Sequence, residues 1–259
     1  MITTNFHTHT PRCLHAGGTD TEYIEAAIAA KMTILGFSDH APYPDNRFGL
    51  RMSYDQLDEY IESIKKLKNK YKDKIEIRVG LEIEYDSEKA TYYEQLLNEK
   101  NVEYLALGQH IYVSPTKEYI NIYSLESTNQ YVEYANTIKE AAQTGYFAFI
   151  AHPDVIFLNN FAWDENSELA SDIIIDTALQ SKIPLEFNAN GLRRGLQEFC
   201  DGSRYPYPHP KFWSKVSKHN IPVIINADAH HPGNIYDKQM KQAEELALQW
   251  GLNIIKDYK

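Results

Sequence analysis

Histidines dominate the part of the sequence that could do chemistry, beginning with His7, His9 and His15 in the stretch NFHTHTPRCLH. In an extended strand, residues two apart point to the same side, so His7 and His9 can present two imidazole nitrogens to one point. Imidazole is a common ligand of zinc and of other divalent metal ions. The alternative is a half-buried strand with two incidental histidines, and this stretch alone does not separate the two interpretations.

The other candidate ligands share a position at, or just after, the end of a hydrophobic run. They are His40 in ILGFSDH, Glu82 in VGLEIEY, His110 in YLALGQH, His152 in YFAFIAH, and Asp228 and His230 in VIINADAH. In parallel α/β folds the carboxyl ends of the strands meet at one edge, where functional sites are built. One polar strand end is ordinary, but ligand-type residues at successive strand ends predict a polynuclear metal site.

Seven short apolar runs predict the strands that position these residues. The runs are Thr3–His9, Thr33–Asp39, Ile75–Tyr85, Val102–His110, Tyr146–His152, Pro184–Asn190 and Pro222–Ala227. Helical patterns lie between them, with a predicted capping box at Thr19–Glu22, a second helix start at Ser53–Gln56 and a predicted C-cap at Gly145. The alternation favours a parallel sheet, either open or closed, and the length and strand count favour a barrel.

Composition limits the classes of function that this chain can have. Its 259 residues are 43% hydrophobic, which is enough for a sizeable core. The formal net charge of -10 argues against a nucleic-acid or membrane partner. No segment resembles a signal peptide or a membrane span, and the two cysteines, Cys13 and Cys200, cannot form a disulfide framework. We therefore expect a cytoplasmic protein.

Together, these motifs resemble those of the polymerase and histidinol phosphatase (PHP) superfamily of metallo-phosphoesterases. The matching segments are HTH at 7–9, the histidine at 15, SDH at 38–40, GLE at 80–82, GQH at 108–110, AHPD at 151–154 and NADAH at 226–230. They occur in the family's order and span nearly the whole chain. The resemblance implies an α/β fold, a distorted (β/α)7 barrel formed as a single domain by residues 1–259. The metal site would lie at the C-terminal ends of its strands.

The resemblance also implies three divalent metal ions, which could be zinc, manganese or iron. The family pattern assigns His7, His9, Glu82 and Asp228 to the first ion, Glu82, His110 and His152 to the second, and His15, His40 and His230 to the third. Glu82 would bridge the first two ions, because a carboxylate has two oxygens. Glu84 is its rival, since residues two apart share a strand face. Glu82 is preferred because the family's glutamate follows Gly-x.

Within the superfamily, the segments HTPRCLH, DHAPYP, EFNANGLRR and RYPYP most resemble the monofunctional histidinol-phosphate phosphatases. The implied reaction is hydrolysis of L-histidinol phosphate, a step of histidine biosynthesis, by a metal-bridging hydroxide. Asp228, Glu82 and His110 are the expected catalytic residues. The alternatives are a broader phosphoesterase, acting on other monoesters or a phosphodiester, and a non-catalytic metal-binding protein. The expected partner is a small-molecule phosphate monoester, and the oligomeric state stays open.

Arginines in the loops after predicted strands are candidates for binding phosphate, because a guanidinium group can donate two parallel hydrogen bonds. Arg193, in NANGLRRG after the sixth predicted strand, is the first candidate, and Arg194 could take its place. Arg51 is the second candidate, in a long loop after the second predicted strand. Arg12 and Arg204 are weaker candidates. A solvent-exposed arginine pair is the alternative interpretation of Arg193 and Arg194.

Overall fold

The computed structural model describes all 259 residues, and one curled sheet of eight strands forms its centre. The strands are β1 (Thr4–Asn5), β2 (Ile34–His40), β3 (Glu76–Ile83), β4 (Tyr104–Leu107), β5 (Phe147–Ile150), β6 (Leu185–Asn188), β7 (Pro222–Asn226) and β8 (Asn253–Ile255). Each strand pairs in parallel with the next one along the chain. The prediction of a distorted barrel is confirmed, because β1–β7 correspond to the seven predicted runs. Strand β8 is additional.

The sheet closes on itself at the carboxyl ends of β1 and β7. Thr8 and Ala229 form an isolated parallel bridge just beyond these two strands. The side chain of Asn226 accepts a hydrogen bond from the Phe6 amide at 2.8 Å, and that of Asn5 accepts one from the Ala227 amide at 2.7 Å. These two side chains supply hydrogen bonds that backbone groups supply between the other strands of the sheet. The closure between β1 and β7 therefore needs few backbone hydrogen bonds.

Helices join successive strands, as the predicted alternation requires. They are α1 (Asp20–Ala29), α2 (Leu57–Tyr71), α3 (Ala90–Glu94), α4 (Asn129–Thr144), α5 (Glu165–Ser181), α6 (Asn190–Arg193), α7 (Pro210–Val216) and α8 (Lys238–Gln249). The capping box of Thr19 and Glu22 is present at the start of α1. Gly145 ends α4 with a φ of 75°, the left-handed conformation that glycine adopts without strain. No helix combines the length and the apolar character that crossing a bilayer would require.

An aromatic cluster fills the interior of the barrel. The hydroxyl of Tyr104 on β4 donates hydrogen bonds to the backbone oxygens of Phe6 at 2.7 Å and Phe37 at 3.0 Å. A Cβ atom at Gly36 or Gly80 would overlap the Tyr104 side chain. Glycine at these two strand positions therefore lets one large side chain cross the interior.

The C-terminal residues seal the barrel near the beginning of β3. The Tyr258 ring packs edge-on against Phe6, with ring centroids 4.9 Å apart. The buried guanidinium of Arg78 pairs with both carboxylate oxygens of Asp257, each at 2.6 Å. Because this end is closed by side chains, the opposite end, where the strands finish, is the one available for a site.

Two hairpins inserted after β4 and β6 were not predicted. They pair Ile111–Val113 with Tyr119–Asn121, and Gln197–Phe199 with Gly202–Arg204. Both lie in loops that the sequence left without regular structure. Their strands have three residues each, and three of the four include exposed positions, so the hydrophobic pattern is too short to be recognised.

Candidate metal centre

All nine predicted ligands converge at the carboxyl end of the barrel, although they come from seven separate segments. His7 and His9 follow β1, His40 ends β2, Glu82 lies near the end of β3, His110 follows β4, His152 follows β5, Asp228 and His230 follow β7, and His15 lies in the loop before α1. Parallel register explains part of the convergence, since His40 and Glu82 are direct partners between β2 and β3. The shared edge that the sequence predicted is thus present.

Glu82 lies at the centre of this cluster and is almost fully buried. Its Oε1 atom is 2.8 Å from Nε2 of His152 and 3.5 Å from Nε2 of His110. Its Oε2 atom is 2.9 Å from Nδ1 of His40. Burial raises the pKa of the Glu82 carboxyl, but the neighbouring histidines more than offset burial and hold that pKa well below its ordinary value. Glu82 is therefore a carboxylate at neutral pH.

The two histidines after β1 face Glu82 and Asp228 together. The Nε2 atom of His7 is 3.4 Å from Oε2 of Glu82, and the Nε2 atom of His9 is 3.2 Å from Oδ1 of Asp228. Both imidazoles are fully buried. One ligand atom from each of His7, His9 and Asp228 lies within 4.8 Å of the others, as does one from each of His7, Glu82 and His152.

Glu84, the alternative to Glu82, is held away from this cluster by the guanidinium group of Arg51. Its two carboxylate oxygens accept hydrogen bonds from Arg51 at 2.9 Å and 3.0 Å. Its Oε1 atom also lies 3.7 Å from Nδ1 of His110, on the side of that ring away from Glu82. Burial raises the pKa of Glu84, but Arg51 and His110 more than offset burial and lower that pKa to about 2. Glu84 is therefore paired with Arg51 beside His110, while Glu82 is the carboxylate among the imidazoles.

His15 and His230 form a second focus, beside His9 and His40. Their Nε2 atoms are 2.9 Å apart, and the Nδ1 atom of each faces a backbone oxygen, that of Cys13 at 2.8 Å and that of Asp228 at 3.2 Å. One ligand atom each from His9, His40 and His230 lies within 4.8 Å of the others. Burial lowers the pKa of His40 to about 4 and of His230 to about 3, with His9 adding to both shifts. Both rings are neutral at pH 7 and can offer lone pairs.

Several buried polar atoms in the cluster have no hydrogen-bond partner within the protein. They are Nε2 of His7, both ring nitrogens of His9, Nδ1 of His152 and Oε2 of Glu82, whose 2.9 Å contact with His40 lacks the angles of a hydrogen bond. Unpaired buried polar atoms are rare because each one costs about 1–3 kcal/mol. Imidazole nitrogens and carboxylate oxygens aimed at a common point are the donor set of zinc, manganese and iron sites. The residues present therefore fit divalent cations.

Two of the predicted ligands have a strained backbone. His152 and Asp228 have positive φ angles of 29° and 46°. Left-handed conformations cost L-residues about 1–2 kcal/mol, and such strain collects at functional sites. At Asp228 the side chain is also fixed, because its Oδ2 accepts hydrogen bonds from Asn188 at 3.2 Å and Asn190 at 3.1 Å. No role was predicted for these two asparagines from the sequence.

Glu186, on β6, was also missed. It is fully buried and accepts hydrogen bonds from Nδ1 of His7 and from the backbone amide of His152, both at 2.8 Å. The side chains of Asn188 and Asn226 complete its shell at 2.8 Å each. A carboxylate inside an apolar run, here PLEFN, is expensive unless it is paired, and that feature could have identified Glu186.

The arginine predictions need correction. Arg193 points away from the cluster, because its guanidinium pairs with Asp237 at 2.7 Å and donates to the backbone oxygens of Ala227 and Asn234. Arg51 lines an outer pocket, but its charge is taken up by Glu84. Arg194 instead lines the cavity over the cluster, with its guanidinium carbon 5.6 Å from the centre of the Tyr207 ring.

The weaker arginine candidates are also engaged elsewhere. Arg12 pairs with Asp20 and Glu59, each at 2.9 Å. Arg204 pairs with Asp201 at 2.9 Å. Neither lines the cavity over the cluster, so Arg194 is the arginine that faces it.

A cavity of about 190 Å³ opens directly over the cluster. Its walls include Tyr123, Asn190, Arg194 and Tyr207, and its floor is formed by the predicted ligands. A second pocket of about 370 Å³ shares Tyr123 and Arg194 with it and extends outward. The arrangement provides a polar inner chamber at the ligand cluster and a roomier outer chamber beside it.

A protein-family model described as the PHP domain matches residues 5–190. This range contains seven of the nine predicted ligands. It ends before Asp228 and His230, so the place of these two residues in the cluster rests on the distances given above.

Curated relatives are similar over most of the chain. A Deinococcus radiodurans protein described as a probable histidinol-phosphatase is 29% identical over 238 residues, which cover 88% of this chain and 86% of the relative. The Bacillus subtilis histidinol-phosphatase is 24% identical over 264 residues, which cover 88% of this chain and 94% of the relative.

A solved structure shares the fold. The histidinol phosphate phosphatase of Lactococcus lactis, in complex with zinc, L-histidinol and phosphate, matches with a TM-score of 0.70. The match covers 98% of this chain and 95% of that one, at 16% identity. The likeness at this identity establishes the fold alone.

Proposed function

Since the chain belongs to the PHP domain family, we propose that it is a metal-dependent phosphatase that hydrolyses L-histidinol phosphate to L-histidinol and inorganic phosphate. The observation that carries this proposal is the convergence of five imidazoles on the buried Glu82 carboxylate beneath an open cavity. The names of the curated relatives, and the ligands of the Lactococcus lactis structure, support the choice of substrate.

The donor set suits three divalent ions of zinc, manganese or iron. His7, His9, Glu82 and Asp228 would hold one, Glu82, His110 and His152 a second, and His15, His40 and His230 a third. The unpaired nitrogens of His7 and His9 and the unpaired Oε2 of Glu82 support this assignment. Divalent ions held there supply Lewis acidity, which lowers the pKa of water from about 15.7 toward 7 and offsets phosphate charge.

Charge balance favours a phosphate ester as the substrate. The nine donors comprise two carboxylates and seven imidazoles, so they do not neutralise the charge of several divalent ions. With the ions bound, the pocket would be positively charged, and a charge in a partly buried pocket is screened less than one on the surface. A phosphate dianion is therefore favoured there, despite the net charge of -10 on the whole chain.

The residues around the cavity have separate roles in the proposed reaction. Glu82 would be a ligand at both of the inner ion positions, and Glu84 provides a negative charge 3.7 Å from Nδ1 of His110, on the ring edge away from Glu82. The Oδ2 atom of Asp228 accepts hydrogen bonds from Asn188 and Asn190, and its Oδ1 atom, 3.2 Å from Nε2 of His9, is the oxygen available to a metal ion. The same carboxylate would also pass a proton from water to the departing alkoxide. Arg194 donates hydrogen bonds to the phosphate oxygens. The outer pocket takes the histidinol group.

The test is phosphate release from a panel of substrates by metal-loaded protein. The panel contains L-histidinol phosphate, sugar and nucleotide monoesters, and a phosphodiester, each with and without a chelator. We expect chelator-sensitive release with a clear preference for L-histidinol phosphate. Equal turnover of several monoesters would favour the broader phosphoesterase instead. No phosphate from any substrate would reject the enzymatic proposal and leave a metal-binding protein.

Two further features belong to this proposal. Residues 1–259 act as one domain, which is supported by a sheet whose strands begin at Thr4 and end at Ile255. The reaction takes place in the cytoplasm, a proposal supported by the description of the curated relatives as histidinol-phosphatases. The substrate is a small molecule, and nucleic acid and membranes have no part in the reaction.

A further inference from the structure

A cysteine lies against the ligand cluster, and the proposed function gives it no role. Cys13 ends a short 3-10 helix, Pro11–Cys13, and is fully buried. Its Sγ atom lies 4.0 Å from Nε2 of His15. We propose that Cys13 is a thiolate ligand of the ion held by His15 and His230, which makes that position a sulfur-containing site. The inference rests on the metal-binding part of the proposed function and is independent of the substrate.

The two imidazoles already indicate a cation between them. Their Nδ1 atoms both face backbone oxygens, which places the ring proton on Nδ1 and leaves a lone pair on Nε2. Two Nε2 lone pairs 2.9 Å apart repel each other unless a proton or a metal ion lies between them. Hydrogen bonds from Nδ1 to backbone carbonyls also orient histidine ligands in known metal sites.

The sulfur completes a triangle with these two nitrogens. Ligand atoms of Cys13, His15 and His230 all lie within 4.8 Å of one another. In a tetrahedral zinc site with Zn–N near 2.0–2.1 Å and Zn–S near 2.3 Å, the N···N separation is about 3.3 Å and the N···S separation about 3.6 Å. The observed 2.9 Å and 4.0 Å differ from these values by only a few tenths of an ångström.

A second observation at the same place points to a ligand. His9 is fully buried, and while its Nε2 atom faces Asp228, its Nδ1 atom lies on the other edge of the ring, 3.5 Å from Asp39, without a hydrogen-bond partner. His9, Cys13 and Asp39 form a compact group of possible ligands, so the thiol is bordered by an unpaired imidazole nitrogen and by a carboxylate. An inert core cysteine is expected among apolar side chains instead.

The backbone holds the sulfur in this place. Leu14 has a φ of 71°, which reverses the chain between Cys13 and His15 so that their side chains meet. The Cys13 amide donates to the backbone oxygen of Thr10 at 3.0 Å, and the Gly17 amide donates to that of His230 at 2.9 Å. The loop that carries Cys13 and the loop that carries His230 are thus joined directly.

Coordination replaces the S–H bond of Cys13 with a metal–sulfur bond and releases the proton to solvent. A thiolate favours zinc, cobalt and cadmium over manganese, because soft ligands select softer ions. The ion at this position should therefore differ in selectivity from the two ions that Glu82 would hold, whose donors are nitrogen and oxygen.

Cobalt(II) provides the test, because a thiolate bound to cobalt gives a near-ultraviolet charge-transfer absorption that nitrogen and oxygen ligands do not give. The chain has two cysteines, and Cys200 is exposed on a hairpin. In the Cys200→Ser protein, which retains only Cys13, we expect the absorption to develop as cobalt binds. In Cys13→Ser/Cys200→Ser we expect no such band and at least tenfold weaker binding of one cobalt ion per chain.

Full cobalt loading of the Cys200→Ser protein without the charge-transfer band would overturn the inference. An unchanged affinity for every ion in the Cys13→Ser/Cys200→Ser protein would also overturn it. Thermal unfolding of the metal-free variants shows whether they fold, and if Cys13→Ser does not, the spectrum of Cys200→Ser alone decides. These readouts do not depend on turnover, so a sulfur site without phosphatase activity would reject only the proposed function.

Discussion

The Nδ1 atom of His7 lies 2.8 Å from Oε1 of Glu186, a residue 179 positions further along the chain. The same carboxylate also accepts a hydrogen bond from the backbone amide of His152, so it holds the residues that follow β1 and β5 in place together. Burial raises the pKa of Glu186, but His7 and His152 more than offset burial, and the pKa is lowered overall. Glu186 is thus an anion that directs Nε2 of His7 toward Glu82.

Replacing Glu186 with Gln should lower metal affinity by about 10–100-fold, because an outer carboxylate sets the orientation and basicity of a ligand histidine. The amide keeps the shape but removes the charge. Calorimetric zinc titration measures the effect, with Glu198→Gln on the exposed hairpin as the matched control. Affinity in Glu186→Gln equal to that of the control would show that His7 needs no anionic support.

Asp228→Asn and His110→Ala should each lower kcat by orders of magnitude while the fold stays intact. Asp228 is the carboxylate opposite Glu82, and His110 lies between Glu82 and Glu84. Phosphate release and circular dichroism are the measurements, and His219→Ala, at an exposed position, is the matched histidine control. Near-normal turnover in both variants would contradict the proposed roles.

Neighbouring arginines offer a matched pair for the phosphate-binding role. Arg194→Lys keeps the charge but loses the planar fork, so KM should rise about tenfold and inhibition by inorganic phosphate should weaken. Arg193→Lys breaks the contacts with Asp237 and should leave KM unchanged while lowering stability by about 1–3 kcal/mol. A larger increase in KM for Arg193→Lys than for Arg194→Lys would show that Arg193, the first candidate from the sequence, binds the phosphate.

The contrast between these two arginines shows what the sequence could and could not predict. Strand ends were predictable because hydrophobic runs identify parallel strands, and parallel strands bring their ends to one edge. Arg193 ends α6 and Arg194 follows it, and successive residues of a helix point about 100° apart. Which of the two arginines faces the cavity therefore depends on how the helix is placed by its tertiary contacts. The partner Asp237 lies 44 positions from Arg193, beyond the reach of local patterns.

The same reason explains the features missed elsewhere. Glu186 gains its partners from the residues that follow β1 and β5 and from β7, which only the folded sheet brings together. The three residues of β8 form a strand because β7 is available to pair with them. Glu82 could be preferred to Glu84 from the motif, but the reason Glu84 is excluded, its pairing with Arg51, belongs to the fold.

Gly108 should not tolerate a side chain, because a Cβ atom there would overlap the Glu82 carboxylate. Gly108→Ala is therefore expected to displace the central ligand and to weaken metal binding by more than tenfold, with loss of phosphatase activity. Gly49→Ala is the matched control, since no heavy atom lies within 4 Å of a Cβ there. Metal content after dialysis is the measurement, and equal retention in both variants would show that Glu82 can move without loss of the site.

The titration of His209 should make the free energy of unfolding depend on pH, independently of the candidate metal ligands. Its Nδ1 accepts the Lys211 amide at the start of α7, which requires a neutral ring. Burial lowers the pKa of His209 to about 4, and Arg204 and Lys211 add to that effect while Asp201 opposes it. In the unfolded chain the pKa is about 6.5. The unfolded state therefore binds more protons between about pH 6.5 and pH 4.

The stabilising contribution of neutral His209 is complete above about pH 6.5 and declines as the pH falls toward about 4, with a total of about 3 kcal/mol. Asn accepts the same N-cap hydrogen bond but does not titrate. Denaturant unfolding of metal-free wild type and His209→Asn, measured from pH 7.5 to pH 4.5, should show a steeper loss of stability for the wild type. Parallel curves would mean that His209 has the same pKa in the folded and unfolded states. Metal-free protein is used so that the release of metal ions at low pH does not contribute.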